Sequence, residues 1–136
     1  MTYPSDETTK LVIADDVRQE QGGKVTILGI YSGSVINVSL TMPSINSINL
    51  APALPSLAFL WWFADGEGHF NMTASVTDPN GTIMFNLPNT NVQKNPDGDM
   101  NIMMKVAPFP LIAGEYKCSI TLDQQEYRRS FKIVFG

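Results

Sequence analysis

Four segments of the chain alternate between apolar and polar residues. In "HFNMTASVT", residues 69–77, every second residue from Phe70 to Val76 is apolar and the residues between them are polar. Successive side chains of a β-strand point to opposite faces, so this pattern is typical of a strand with one buried face. A similar alternation occurs in residues 100–106, 115–122 and 130–135. We therefore expect four strands of the antiparallel kind.

Further apolar segments occupy much of the remaining chain, and turn sequences separate them. The apolar segments are "KLVIAD", "KVTILGIY", "SVINVSL", "LAFLWWFA" and "TIMFNL". The sequences "ADGEGH", "DPNG" and "NPDGD" contain the glycine, proline and acidic residues that favour turns. No window of comparable length repeats apolar residues at helical spacing. The pattern predicts one all-β domain over residues 1–136, an antiparallel sandwich of about seven to nine strands.

Two parts of the chain lack this pattern. Residues 42–56, "MPSINSINLAPALPS", contain three prolines and no sustained alternation. Proline cannot donate to a β-ladder, so we expect a long crossover between two sheets here, and the most mobile segment of the chain. Residues 1–9 have no periodic apolar positions, which predicts a flexible N-terminal segment.

The segment "LIAGEYKC", residues 111–118, indicates a more specific architecture. Tyr116 lies two residues before Cys118, near the start of a predicted strand. This spacing resembles the tyrosine corner of immunoglobulin-like domains, in which the phenol bonds to main chain upstream. Trp61 or Trp62 would take the place of the core tryptophan. We therefore expect an immunoglobulin-like sandwich in which packing replaces the inter-sheet disulfide, because Cys118 has no partner; the alternative is an ordinary buried tyrosine.

The stretch "ADDVRQEQGG", residues 14–23, places three carboxylates and one guanidinium among apolar strands. Asp15 and Asp16 are adjacent, so on a strand they point to opposite faces and are badly placed to chelate one ion. An ion pair of Arg18 with Asp16 or Glu20 is easier. Two consecutive glycines permit a tight reversal, which predicts a hairpin. The functional alternative is a polar recognition patch at one end of the sandwich.

Candidate chemistry elsewhere in the chain is sparse. Asp65, Glu67 and His69 offer metal-ligand atoms, but a zinc site recruits three or four ligands, and the single histidine and the single cysteine lie far apart. We expect a hairpin turn there instead. Cys118 falls on the inward face of its strand, where burial makes a thiol inert. The chain has neither a nucleophile elbow nor a glycine-rich phosphate loop. We therefore expect no enzyme activity, no cofactor and no metal site.

Charge and composition restrict the partners. The net charge of −4 argues against binding to nucleic acid or to an anionic membrane, both of which need a basic face. No run approaches the roughly 18 apolar residues of a membrane span, and the N-terminus does not resemble a signal peptide. One cysteine agrees with a reducing compartment. We expect a cytoplasmic protein, or a virion protein if a phage encodes it.

The stretch "ADDVRQEQGGKVTILGIYSG", together with "DPNG" and "GEYKCSITLD", resembles an uncharacterised family of short bacterial and phage proteins, a domain of unknown function. The resemblance covers most of the chain through moderately specific motifs. It implies an immunoglobulin-like fold without an assigned activity, and it transfers no functional residues.

Two binding functions remain, and they belong to different classes. The first is a protein-interaction module that contacts an unknown partner through loops or an edge strand. The second is a structural accessory of a larger assembly, such as a capsid-decorating or tail-associated phage protein, and homo-oligomers are compatible with both. A carbohydrate-binding sandwich is weaker, since only one of two adjacent tryptophans can face outward. The candidate interaction surface comprises Asp15, Asp16, Arg18, Glu20, Leu50, Leu54 and Trp61.

Overall fold

The computed structural model of the chain describes residues 1–38 and 53–135. The strands are β1 (Lys10–Gln19), β2 (Val25–Ile30), β3 (Val35–Val38), β4 (Ala53–Leu54), β5 (Leu57–Phe63), β6 (Gly68–Thr77), β7 (Ile83–Lys94), β8 (Met100–Val106), β9 (Phe109–Pro110), β10 (Gly114–Leu122) and β11 (Gln125–Phe135). A single 3-10 turn, Gln21–Gly23, is the only helical element in these ranges. The prediction of an all-β chain is confirmed. Among the described residues, no helix has the length and apolar character needed to cross a bilayer.

The longer strands form two sheets that pack face to face. The four-stranded sheet has the order β2-β1-β5-β8, and the five-stranded sheet has the order β3-β11-β10-β6-β7. Neighbouring strands pair antiparallel, except that β3 runs parallel to β11. The two-residue strands β4 and β9 form a separate small ladder. The architecture is thus an antiparallel sandwich with one parallel addition at an edge.

The main core lies between the two sheets and explains the alternating segments. From Phe70 to Val76, every apolar side chain of β6 is buried, and the polar residues between them are not. Aromatic rings connect the sheets: the ring of Phe131 stacks on Tyr116 with centroids 4.9 Å apart and lies 5.9 Å from the ring of Phe59. Each alternating segment therefore buries one face, as predicted.

A second apolar cluster lies on the opposite face of the four-stranded sheet. This outer cluster contains Ala14, Val17, Ala58 and Leu60, all of them buried. Ala14 pairs directly with Ala58 on the neighbouring strand, and directly opposed residues share a face. Strand β5 is therefore apolar on both faces, which is why "LAFLWWFA" reads as a continuous apolar run rather than as an alternation.

Tyr116 makes the main-chain hydrogen bonds that its position predicted. Its hydroxyl oxygen accepts a bond from the Ile112 N–H at 2.9 Å and donates to the Pro110 carbonyl at 3.2 Å. Both partners lie upstream in the chain, four and six residues away. The ring itself is fully buried in the main core. The hydroxyl thus ties the connection before β10 to the start of that strand.

The hairpin predicted at residues 14–23 is present, although β1 extends further than expected. The acidic residues lie within β1, and the reversal is confined to Glu20–Lys24, where the Glu20 N–H donates to the Lys24 carbonyl at 2.8 Å. Gly22 and Gly23 have φ values of 79° and 76°, which side chains rarely adopt. The two glycines therefore perform the predicted role.

The connection that contains Asp65 differs from the prediction. Strands β5 and β6 belong to different sheets, so residues 64–67 cross between sheets and do not form a hairpin. The hairpin prediction was wrong because turn residues signal a reversal without indicating which strands pair. The segment between β3 and β5 also connects the two sheets, as expected of the crossover. Its mobility is not tested, because residues 39–52 lie outside the described part of the chain.

Residues 1–9 lie along the sandwich and make specific contacts with it, and the flexibility that the sequence predicted for them stays a prediction. Thr2 pairs with Glu67 through two main-chain hydrogen bonds of 2.8 Å. Pro4 and Thr9 are buried, and the Tyr127 hydroxyl donates to the Pro4 carbonyl at 2.6 Å. Apolar periodicity could not indicate these contacts, because most of them are hydrogen bonds to main chain.

Candidate interaction surface

The two adjacent aspartates of β1 diverge, as expected for neighbours on a strand. The Asp16 carboxylate accepts hydrogen bonds from Lys105 Nζ at 3.0 Å and from Arg18 Nε at 3.2 Å. These bonds, the one from Lys105 first, hold the pKa of Asp16 below its usual value. The predicted pairing of Arg18 with Asp16 is confirmed. Solvent screens such exposed pairs, so the network contributes little to stability and leaves its charges available to a partner.

Asp15 contacts residues of its own hairpin and of the segment that follows it. Its carboxylate accepts a 2.8 Å hydrogen bond from the Tyr31 hydroxyl and covers Gly29, where a Cβ atom would collide with it. Burial and then the bond to Asp15 raise the pKa of Tyr31 to about 12. Glu20 is exposed in the turn and contributes its main-chain N–H to the hairpin. Asp15 thus fixes the β1–β2 hairpin, and Arg18, Asp16 and Glu20 remain at the surface.

The apolar members of the predicted surface lie elsewhere. Trp61 is fully buried in the main core, where its ring stacks on Phe63 with centroids 6.4 Å apart. It cannot contact a partner, because β5 is a central strand and Trp61 faces the other sheet. Leu54 is partly buried and packs against the same core. Leu50 lies outside the described residues.

Trp62 is the tryptophan that faces outward. It is half-buried beside the outer cluster, and its indole N–H donates to the Asp99 carboxylate at 2.7 Å. Val12, Ile27, Ile30 and Trp62 form the apolar part of a cavity of about 440 Å³, which we call the outer groove. Its other lining residues among the described ones are Thr8, Lys10, Ala64 and Asp99. The outer groove therefore has an apolar base and polar residues of both charge signs beside it.

The edge strand next to the outer groove also exposes large apolar side chains. On β2, Ile30 is 60% exposed and Leu28 is 44% exposed. Strand β2 ends the four-stranded sheet, so among the described residues its outer main-chain groups have no strand partner. Apolar side chains on an unpaired edge are a feature of contact surfaces. The sequence predicted contact through an edge strand without indicating which one, although the four apolar residues of "VTILGI" were a signal for β2.

The outer face of the five-stranded sheet is polar. Hydroxyl groups pair across its strands, with Thr73 bonded to Thr121 and Ser75 bonded to Ser119. A shallow depression of about 520 Å³ on this sheet is lined mainly by charged and hydroxyl side chains, including Lys117 and Arg128. Such a face is well solvated, so the outer groove is the better candidate for a contact surface.

The residues considered for catalysis and metal binding have other partners. The Asp65 carboxylate accepts hydrogen bonds of 2.8 Å from both the N–H and the hydroxyl of Ser5, and the main-chain bond in particular lowers the pKa of Asp65. Glu67 pairs with Thr2 through main chain, and His69 is exposed. Nowhere in residues 1–38 and 53–135 do three His, Cys, Asp or Glu side chains converge as metal ligands. Desolvation raises the pKa of the buried Cys118 to about 12, which keeps the thiol protonated at neutral pH.

No protein-family model and no curated protein matches the chain. The resemblance to short bacterial and phage proteins therefore stays a prediction. A functional proposal for this protein depends on the geometry of its own residues.

Proposed function

We propose that the protein is a non-enzymatic interaction module that binds a protein partner through the outer groove and strand β2. The observation that carries this proposal is the 60% exposure of Ile30 beside an apolar groove of about 440 Å³. Interfaces have apolar centres and polar rims, and their binding energy is concentrated in a few large buried side chains. The outer groove offers that arrangement to an apolar side chain of a partner.

The immunoglobulin-like fold is part of the same proposal. In such domains strands A, B and E share one sheet, and strands G, F and C share the other. The orders β1-β5-β8 and β11-β10-β6-β7 fit this scheme, with β7 in the position of C′. The two main-chain hydrogen bonds of Tyr116 on β10 support it as well. Trp61 departs from it, because this core tryptophan lies on β5, the counterpart of strand B rather than strand C.

The two alternative functions, sugar binding and a structural role in a phage-like assembly, receive less support than the interaction module. Trp61 is buried, so only the half-buried Trp62, whose indole N–H is already bonded to Asp99, is left to stack on a sugar. A structural accessory of a phage-like assembly would also use an apolar contact surface. The two functions differ in the partner: the accessory would contact virion proteins or copies of itself.

Photo-cross-linking in cells that naturally produce the protein tests the proposal. A photo-reactive amino acid replaces Ile30 in one variant and Ile83 in the control, since Ile83 is 61% exposed on β7 of the other sheet. We expect a discrete adduct with one protein from position 30 and none from position 83. Adducts of equal pattern from both positions, or no adduct from position 30, would refute the outer groove as the contact surface. The mass of the adduct separates a regulatory partner from a virion protein.

A further inference from the structure

Residues 1–9 occupy a groove whose side chains recognise them much as a receptor recognises a peptide. The Tyr127 hydroxyl donates to the Pro4 carbonyl at 2.6 Å in a buried position. The Asp65 carboxylate accepts both the N–H and the hydroxyl of Ser5, each at 2.8 Å. We call this site, formed by Asp65, Gly66, Phe70, Tyr127 and Arg129, the segment groove.

Arg129 holds the second half of the segment. One guanidinium nitrogen, Nη2, donates to the carbonyls of Asp6 at 3.0 Å and Thr9 at 2.8 Å, and Nη1 donates to the Asp6 carboxylate at 3.0 Å. The same guanidinium lies 5.9 Å from the centroid of the buried Trp61 ring. A planar donor fork of this kind fixes the direction of the bound chain as well as its position. Arg129 therefore binds main-chain carbonyls at two defined positions of the segment.

The shape of the segment groove fits an extended main chain closely. A Cβ atom at Gly66 would lie 2.6 Å from the Pro4 nitrogen and 2.8 Å from the Thr2 carbonyl oxygen. Gly66 also has a φ of 85°, which disfavours any side chain. The ring of Tyr3 packs on Phe70 with centroids 5.2 Å apart. The segment groove thus contacts residues 1–9 closely at Gly66 and at Phe70.

The bound segment is held chiefly by polar contacts. Within residues 1–9, only Pro4 and Thr9 are buried, and Thr2 forms an isolated bridge with Glu67 rather than a continuous ladder. On release, these hydrogen bonds are exchanged for hydrogen bonds to water, so the segment can open locally without unfolding of the two sheets. The same contacts are available to residues 1–9 of a second copy.

We infer that the 1–9 segment exchanges between two copies of the chain, each segment filling the segment groove of the other. Exchange of an identical element is a low-cost route to a dimer, because every contact of the closed monomer re-forms. The cost is the loss of the high effective concentration of a tethered segment, which is on the order of millimolar. Exchanged dimers are therefore expected at high protein concentration. The observations behind this inference are separate from those behind the outer groove, although Thr8 of the exchanging segment also lines that groove.

Cysteine cross-linking between two full-length variants tests the exchange. Thr2 and Glu67 are directly paired, a spacing suited to a disulfide, and the native Cys118 is buried. Chains carrying Thr2→Cys are mixed at about 1 mM with chains carrying Glu67→Cys, incubated and oxidised, and the mixed disulfide is identified by mass. The control mixture replaces Glu67→Cys with Asn80→Cys, because Asn80 is exposed in the β6–β7 turn away from the segment groove.

The expected result is at least about tenfold more mixed dimer with Glu67→Cys than with Asn80→Cys, a preference of about 1.4 kcal/mol. Equal yields from the two mixtures would overturn the inference, since they would reflect random collision. A single chain carrying both Thr2→Cys and Glu67→Cys serves as the geometric control and should close within itself and stay monomeric. Failure of that chain to close would also overturn the inference, because it would show that residues 1–9 do not lie in the segment groove.

Discussion

At the scale of single residues, several side chains act through hydrogen bonds to main chain. Tyr116, Tyr127 and Arg129 all lie on the two strands β10 and β11, and each bonds to a main-chain carbonyl of a segment outside the two large sheets. A buried carbonyl that loses its donor is left unsatisfied, which costs more than the hydrogen bond contributes. These residues therefore hold irregular segments against the regular sheets.

Tyr116→Phe tests the first of these contacts. The change removes the hydroxyl that bridges Ile112 and Pro110 but keeps the packed ring, so the free energy of unfolding should fall by about 1 to 3 kcal/mol. Tyr3→Phe is the control, because Tyr3 is exposed and its bond to Asp123 is long at 3.3 Å; its effect should stay within about 0.5 kcal/mol. Urea denaturation of both variants measures the difference, and equal stabilities would contradict the role of the hydroxyl.

Arg129→Gln tests the residue that binds the 1–9 segment. Loss of charged donors to Asp6 and Thr9 should lower the free energy of unfolding by at least about 1.5 kcal/mol. The neighbouring Arg128→Gln is a matched control, since the Arg128 side chain is largely exposed and pairs with Glu126 on the surface. Chemical denaturation should show a clear loss for the first variant and almost none for the second. The reverse order would contradict the assignment.

At the scale of elements, the β1–β2 hairpin combines a tight turn with an irregular point at Gly29. This residue has a φ of 68° within β2, and the Asp15 carboxylate packs where its side chain would be. The hairpin carries both the surface ion pairs of Asp16 and the exposed Ile30. The conformation of the hairpin therefore sets the positions of Asp16 and Ile30 on the candidate surface.

Gly29→Ala tests the contact between Asp15 and Gly29, and Gly33→Ala is the control. Both glycines have positive φ, so alanine is strained at either position by about 1 to 2 kcal/mol. Only at Gly29 would the new Cβ atom also collide with Asp15, whereas nothing lies within 4 Å at Gly33. Thermal denaturation should therefore show a larger loss for Gly29→Ala. Equal losses would mean that Asp15 moves away freely and does not fix the hairpin.

The sequence predicted the elements that bury one face and missed those that do not. The alternation from Phe70 to Val76 located β6, because each apolar residue there enters the main core. Strand β7 was expected to end near Leu87, but it continues to Lys94 past Pro88, since edge strands tolerate proline and need no apolar alternation. Pairing between strands depends on long-range packing, so local turn residues could not reveal the sheet crossing at residues 64–67.

The candidate site was predictable only in part for the same reason. Asp16 and Arg18 were identified because neighbouring opposite charges pair locally, and their pairing is confirmed. Trp61 was misplaced, because two adjacent tryptophans on a strand give no indication of which one faces the other sheet. The role of Arg129 was missed, although a signal existed: this arginine occupies an inward position of β11, between the buried Tyr127 and Phe131.

At the scale of the whole molecule, desolvation of one thiol and two phenol groups makes the folded protein less stable at alkaline pH. Desolvation raises the pKa of Cys118 from 9.0, and that of Tyr127 and Tyr31 from 10.0, to about 12 in each case. The unfolded chain loses these protons first as the pH rises, so between pH 9 and 12 it binds fewer protons than the folded protein. Stability is therefore complete below the ordinary pKa values and declines through this window.

Urea denaturation at about pH 8, 10 and 11 should show a progressively lower midpoint. Cys118→Val keeps a buried side chain of similar size and removes the group whose ordinary pKa is lowest, so this variant should lose less stability between pH 8 and 10 than the wild type does. A midpoint that stays constant up to pH 11 would show that these groups titrate normally and are not buried in the folded protein.

The affinity of two surface variants for the cross-linked partner tests the proposed function most directly. Ile30→Asp places a charge at the outer groove, and Ile83→Asp places the same charge at an equally exposed position on the other sheet. Ile30→Asp should weaken binding by at least about tenfold, which corresponds to about 1.4 kcal/mol, while Ile83→Asp should leave the Kd within about twofold of the wild type. Equal affinity of the two variants, with the thermal midpoints of both unchanged, would contradict the assignment of the outer groove as the binding surface.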